Sequence, residues 1–173
     1  MSVYMTEEEQ IEAIKRWWQK YNSILIILLS LVLLAIAGYK YWHWHQEKID
    51  KLASSTYEQL VVAYSNQDNK AIQSYANVLI KEYGNTIYAD IAHMTLAKLF
   101  ATRSNNKKAL MHLEKVALHT KMPALKQLAK IRRARILLAE KSYSQALKEL
   151  EKPVDDTYLP LINEIRGDIY AAS

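Results

Sequence analysis

The sequence predicts an all-α chain: one transmembrane helix near the N-terminus, then a water-soluble domain of about seven helices built from a repeat. Three observations carry this. Residues 24–39 form an almost wholly apolar run. Only three glycines and three prolines occur in 173 residues, too few turn-formers for an all-β fold. From about Gln46 to the end, apolar positions recur at helical spacing, and three short segments open alike.

The apolar run, Ile24 to Tyr39, is interrupted only by Ser30, whose hydroxyl can bond a carbonyl one turn back, and by Gly38. A hydrocarbon core of ~30 Å needs about 20 helical residues, so the flanks complete the span. Trp17, Trp18 and Tyr21 lie before it; Tyr39, Tyr41, Trp42 and Trp44 follow. Such rings favour the headgroup layer, so the belts mark both interfaces and bound the span at residues 21–42. Trp17, Trp18, Tyr21, Tyr39, Tyr41 and Trp42 are the candidate membrane- or partner-docking residues. Ala35-Ile36-Ala37 also satisfies the small-x-small pattern of a signal-peptide cleavage site. Cleavage there would remove more than the usual ~15–30 residues, so a retained anchor is expected. Positive charge leaves the orientation open: Lys15, Arg16 and Lys20 precede the span, and Lys40, Lys48 and Lys51 follow it.

Residues 1–20 read as an amphipathic arm. Thr6 to Glu9 resembles a capping box, and Ile11, Ile14, Trp17, Trp18 and Tyr21 recur at helical spacing. Such an arm lies on the lipid surface or docks a membrane partner.

In the soluble part, breaks are expected near 66–69, 84–85, 104–106, 122–123, 141–142 and 153–156. Pro160 fits the first turn of the last helix, where its missing N–H costs nothing. The repeat lies in the segments beginning Asn69-Lys70-Ala71, Lys107-Lys108-Ala109 and Ser144-Gln145-Ala146, with Tyr75, Leu113 and Leu150 four residues past each alanine. A second series of small residues, Ala97, Ala134 and Gly167, runs in phase with them. Small residues let helices approach closely, and the bulkier ones fill the next gap. Ala71, Ala97, Ala109, Ala134, Ala146 and Gly167 are therefore the candidate repeat-packing residues. The pattern resembles the tetratricopeptide repeat, best at Leu96-Ala97-x-x-Phe100 and Arg166-Gly167-Asp168-Ile169-Tyr170. It departs in the first repeat, where Gln59 occupies the small position, and its period exceeds the usual ~34. A plain helical bundle is the competing reading. In a solenoid each hairpin buries its apolar face against its neighbours, and the first helices line a surface suited to a peptide or a partner helix.

Little points to chemistry. The absence of cysteine excludes disulfides, Cys-ligated zinc and thiol catalysis. His43 and His45, two apart on a helix, point to opposite sides. His93, His112 and His119 lack a carboxylate ligand pattern. No phosphate loop, serine elbow or H-E-x-x-H occurs. Asp155-Asp156 suits a helix cap. No catalytic, cofactor or metal residue is expected. From Asp50 onward 18 Lys/Arg face 13 Asp/Glu, a mild excess that fits an anionic lipid surface or an acidic partner equally. Lys126, Lys130, Arg132, Arg133 and Arg135 form the densest basic cluster, a solvated helix face or a partner patch.

Glu12-Ala13-Ile14-Lys15-Arg16-Trp17-Trp18, the apolar span, and Tyr41-Trp42-x-x-His45-Gln46 together resemble the YfgM family, ancillary inner-membrane subunits of the bacterial Sec translocon. The resemblance implies a cytoplasmic N-terminus and a periplasmic repeat domain at 43–173. It implies pairing with the membrane-anchored chaperone PpiD, docking on the SecYEG channel, and contact with nascent secreted chains, with no reaction catalysed. It also implies that family members run on for roughly another hairpin. The alternative function is a membrane-tethered repeat adaptor for envelope assembly or cell division.

Overall fold

The computed structural model describes residues 7–153 and 155–173. Every regular element among them is helical: α1 (Glu7–Ser65), α2 (Asn69–Glu82), α3 (Ile87–Thr102), α4 (Asn106–His119), α5 (Pro123–Ala139), α6 (Tyr143–Glu149) and α7 (Leu159–Ala172). A 3₁₀ turn, Asp156–Tyr158, precedes α7. The tail of α1 and α2–α7 make the seven helices expected of the soluble part, and the breaks fall at the polar, Gly and Pro segments. Thr6, the N-cap of the expected capping box, lies outside the described residues. The chain divides into two compact units, Met1–Lys48 and Ile49–Ser173.

In the first unit the apolar stretch of α1 is exposed on all sides. Among the described residues this is the one helix long and apolar enough to cross a membrane, and none of its most apolar window is buried. An apolar helix with no polar face suits hydrocarbon rather than water. The Ser30 hydroxyl donates to the Ile26 carbonyl at 2.8 Å, so the one polar interruption is satisfied within the helix.

In the second unit the hairpin turns repeat. Gln67, Ser104 and Lys141 are the described non-glycine residues with positive φ (55°, 56° and 59°), and they recur every 37 residues. Each closes its turn with the same pair of backbone bonds. Gln67 N–H donates to Tyr64 O and Asp68 N–H to Ala63 O; Ser104 and Asn105 donate to Ala101 and Phe100; Lys141 and Ser142 donate to Leu138 and Leu137. This left-handed closure satisfies carbonyls that the helix end leaves open. The next residue begins the following helix: Asp68 accepts from Lys70 N–H and Ala71 N–H at 3.0 Å, and Asn105 from Lys108 N–H at 3.3 Å. Thr86 caps α3, and Asp155 caps the 3₁₀ turn through Thr157 N–H at 2.8 Å.

This register corrects the alignment of the first hairpin by one residue. Counting from the left-handed residues, Ala109 and Ala146 correspond to Ile72 rather than Ala71, and Ala97 and Ala134 correspond to Leu60 rather than Gln59. Burial agrees: Ile72 and Leu60 are buried, whereas Ala71 is half-buried and Gln59 exposed. The partner positions are exchanged as well. Hairpins two and three place a small residue before a large one, Ala109–Leu113 and Ala146–Leu150. The first places Ile72 before Ala76, and on the preceding helix Leu60 before Ala63 where the others have Ala97–Phe100 and Ala134–Leu137. Reversing large and small conserves the volume to be filled, which cores tolerate.

Three staggered clusters form the core. Leu60, Ile72, Leu79 and Leu96 join the tail of α1 to α2 and α3. Met94, Leu113, Val116 and Ala129 join α3, α4 and α5. Ile131, Leu150, Ile162 and Ile169 join α5, α6 and α7. Each cluster ties a helix only to its neighbours, as in a solenoid.

Candidate functional site

The second unit carries a groove on its first-type helices. One stretch is lined by Tyr64 of α1, Met94, Thr95 and Lys98 of α3, and Leu128 and Arg132 of α5, with no contribution from α2 or α4. It shares Tyr64 and Lys98 with a hollow of about 570 Å³ that Asn69 and Ile72 of α2 also bound. It shares Lys98 and Arg132 with a further hollow lined by Ala97, Arg135, Ile136 and Leu113 of α4. Lys98 borders all three stretches and donates a hydrogen bond to the Tyr64 hydroxyl. Every charged side chain lining them is a cation.

The basic cluster of α5 therefore divides. Arg132 and Arg135 face the groove, and among the described residues neither makes an ion pair. Arg133 points elsewhere: its side chain is 18% exposed, Nη2 lies 2.9 Å from Glu149 Oε1 of α6, and Nη1 lies 3.8 Å from Glu114 Oε1 of α4. It is a structural tie. Lys130 reaches the Lys152 carbonyl at 3.5 Å. Adjacent residues on a helix point about 100° apart, so a run of basic residues cannot share one role.

The repeat-packing candidates also separate. Ala97, Ala109, Ala134 and Ala146 are buried. Ala71 and Gln59 line an open hollow of about 480 Å³ between α1 and α2. Gly167 is exposed, and a Cβ built on it meets no heavy atom within 4 Å. Glycine there gives up helix stability without gaining a close approach in this chain. Gly167→Ala is expected to raise stability by about 1 kcal/mol, read as a higher urea midpoint. A lowered midpoint would mean that something packs against the glycine.

All six aromatic docking candidates, Trp17, Trp18, Tyr21, Tyr39, Tyr41 and Trp42, are exposed. The Trp17 and Tyr21 rings lie 5.7 Å apart, and Tyr41 stacks on His45 at 6.3 Å. Among the described residues no group of three or more His, Cys, Asp or Glu side chains is placed to hold a metal ion.

Sequence reasoning missed one pair. His93 of α3 and His112 of α4 meet Nδ1 to Nδ1 at 2.9 Å, with the Phe100 ring stacked on His112 at 5.5 Å. Nineteen residues of separation leave no motif. One ring donates its Nδ1–H and the other accepts, so both are neutral or share a single added proton. Burial, then His112 and Lys115, hold the His93 pKa down at about 4; burial, then Lys108, lower that of His112. An unfolded histidine titrates near 6.5. Between these values the unfolded chain binds more protons, so stability is complete above about pH 6.5 and is lost as the pH falls toward 4. The urea midpoint is expected to drop between pH 7 and 4.5. The double variant His93→Gln/His112→Gln should drop less; an equal drop would acquit the pair.

The comparisons with known proteins agree with this architecture. The family model for the tetratricopeptide repeat-like domain matches residues 15–173. Proteins named "Ancillary SecYEG translocon subunit" are similar over almost the whole chain. The one from Escherichia coli K12 is 29% identical over 97% of this chain and 81% of its own length. That from Neisseria gonorrhoeae is 28% identical over 99% and 83%, and that from Haemophilus influenzae 22% over 99% and 84%. No solved structure matches. The chain therefore belongs to the tetratricopeptide repeat-like domain family, and its similarity to the translocon-subunit relatives agrees with the YfgM resemblance of its N-terminal words.

Proposed function

We propose that this protein is an ancillary subunit of the SecYEG translocon, a membrane-anchored scaffold that catalyses no reaction. The observation that carries the reading is similarity along nearly the whole chain, anchor and repeats together, to relatives that bear that name. An apolar helix exposed on all sides and a groove whose central stretch is lined by first-type helices alone support an anchored binding module. In this reading residues 1–20 lie in the cytoplasm, 21–42 span the inner membrane, and 43–173 occupy the periplasm. The repeat domain pairs with a PpiD-like chaperone and helps secreted chains leaving the channel.

Purification from native membranes in mild detergent tests the association. The channel and the PpiD-like partner are expected to accompany the protein above background. Their joint absence ends the proposal, and recovery of envelope-assembly or division proteins instead would favour the tethered-adaptor alternative. Topology is separable. The chain has no cysteine, so single cysteines at exposed positions such as Lys107 and Lys141 report side without background. Labelling of intact cells by a membrane-impermeant maleimide is expected; labelling only after lysis would reverse the orientation.

A further inference from the structure

We infer that the groove across α1, α3 and α5 takes an acidic amphipathic segment of a partner protein, with carboxylates on Lys98, Arg132 and Arg135 and apolar side chains on the floor. The inference is drawn from the groove alone and does not depend on the Sec association.

Two features fix the occupant's chemistry. The floor is apolar: Ile91, Met94, Leu125 and Leu128 line its central stretch, and three of them are only half-buried. A water-exposed floor gains when a partner's apolar side chains cover it. The rim is cationic without internal compensation. Among the described residues no carboxylate lies within 4 Å of the Lys98 ammonium or the Arg132 and Arg135 guanidinium groups, although Arg133 beside them holds two glutamates. Arg132 and Arg135 stand three apart on α5, one turn of one face, and Lys98 faces them from α3. Unpaired guanidinium groups beside an apolar floor are donors in want of an anionic acceptor, and their planar forks match carboxylates. A uniformly apolar segment would leave these cations desolvated and unpaired, and a basic one would be repelled. Nucleic acid is disfavoured because Tyr64 is the sole aromatic ring along the three stretches.

The test is isothermal titration of the full chain in a non-ionic detergent with three end-blocked peptides of about 14 residues, four helical turns. All carry leucine at the same helical face, and the remaining positions are Glu, Gln or Lys. The Glu peptide is expected to bind about tenfold more tightly than the Gln peptide, a difference of about 1.4 kcal/mol, and its affinity should fall as salt rises. The Lys peptide should not bind. Arg132→Glu/Arg135→Glu should reverse the preference, and the milder Arg132→Gln/Arg135→Gln should erase it if charge reversal harms folding. Lys148→Glu, on the exposed face of α6 and absent from the groove lining, should change nothing. Equal binding of all three peptides, binding of none, or an unchanged preference in the arginine variants overturns the inference. So does displacement of the Glu peptide by short-chain phosphatidylglycerol below its micellar concentration, which would assign the cations to lipid.

Discussion

Leu113→Ala is expected to destabilise the protein by about 3 kcal/mol, Ala109→Ile by about 2 kcal/mol, and the double variant by clearly less than the two together. Both side chains are fully buried, at 1% and 0% exposure. Truncating Leu113 leaves a cavity among Met94, Ala97, Val116 and Ala129. Enlarging Ala109 forces atoms into space already taken. Together the substitutions give the second hairpin the order that the first uses naturally, Ile72 before Ala76. Compensation should be partial, because the preceding helix keeps Ala97 and Phe100 where the first hairpin has Leu60 and Ala63. Urea unfolding of the four proteins makes a double-mutant cycle. Strict additivity would mean that the two positions do not share one volume.

Arg133→Ala should cost about 2 kcal/mol, more than any other single removal from the basic cluster. Its guanidinium joins α5 to α6 through Glu149 and reaches Glu114 of α4, and with 18% exposure it is poorly screened by solvent. Removing it leaves Glu149, itself 20% exposed, as a carboxylate with no cation within 4 Å among the described residues. Glu149→Gln should recover part of the loss in the Arg133→Ala background. Arg132→Ala and Arg135→Ala are expected to change stability by less than about 0.5 kcal/mol, because among the described residues neither makes an ion pair that its removal would break. Equal losses at all three positions would contradict the division of the cluster.

Most of the fold could be read from residue order because the signals are local. Sixteen nearly unbroken apolar residues between two aromatic belts, the polar breaks at 66–69 and 104–106, and Pro160 in a first turn each act within a few residues of themselves. What stayed hidden depends on distance or on the backbone. The His93–His112 contact joins two helices and leaves no spacing motif. The left-handed positions are filled by Gln67, Ser104 and Lys141, three unlike residues of which none is glycine, so composition gives no warning. That silence allowed the first repeat to be aligned on Ala71 when burial selects Ile72. The groove was anticipated only as a surface of the first helices. Which arginine faces it follows from helix rotation, and a run of consecutive charges cannot disclose that.

The even spacing of the left-handed turns has a consequence for how such a chain can change in length. The turn closures and the core pairs that flank them are counted from the same backbone landmark, so an insertion or deletion of one whole 37-residue unit restores them together. A change of another size inside a helix puts side chains meant for the core on the wrong face. The reach of the groove is thus quantised: it grows or shrinks by one lining helix at a time, while the residues on that helix stay free to alter what is held.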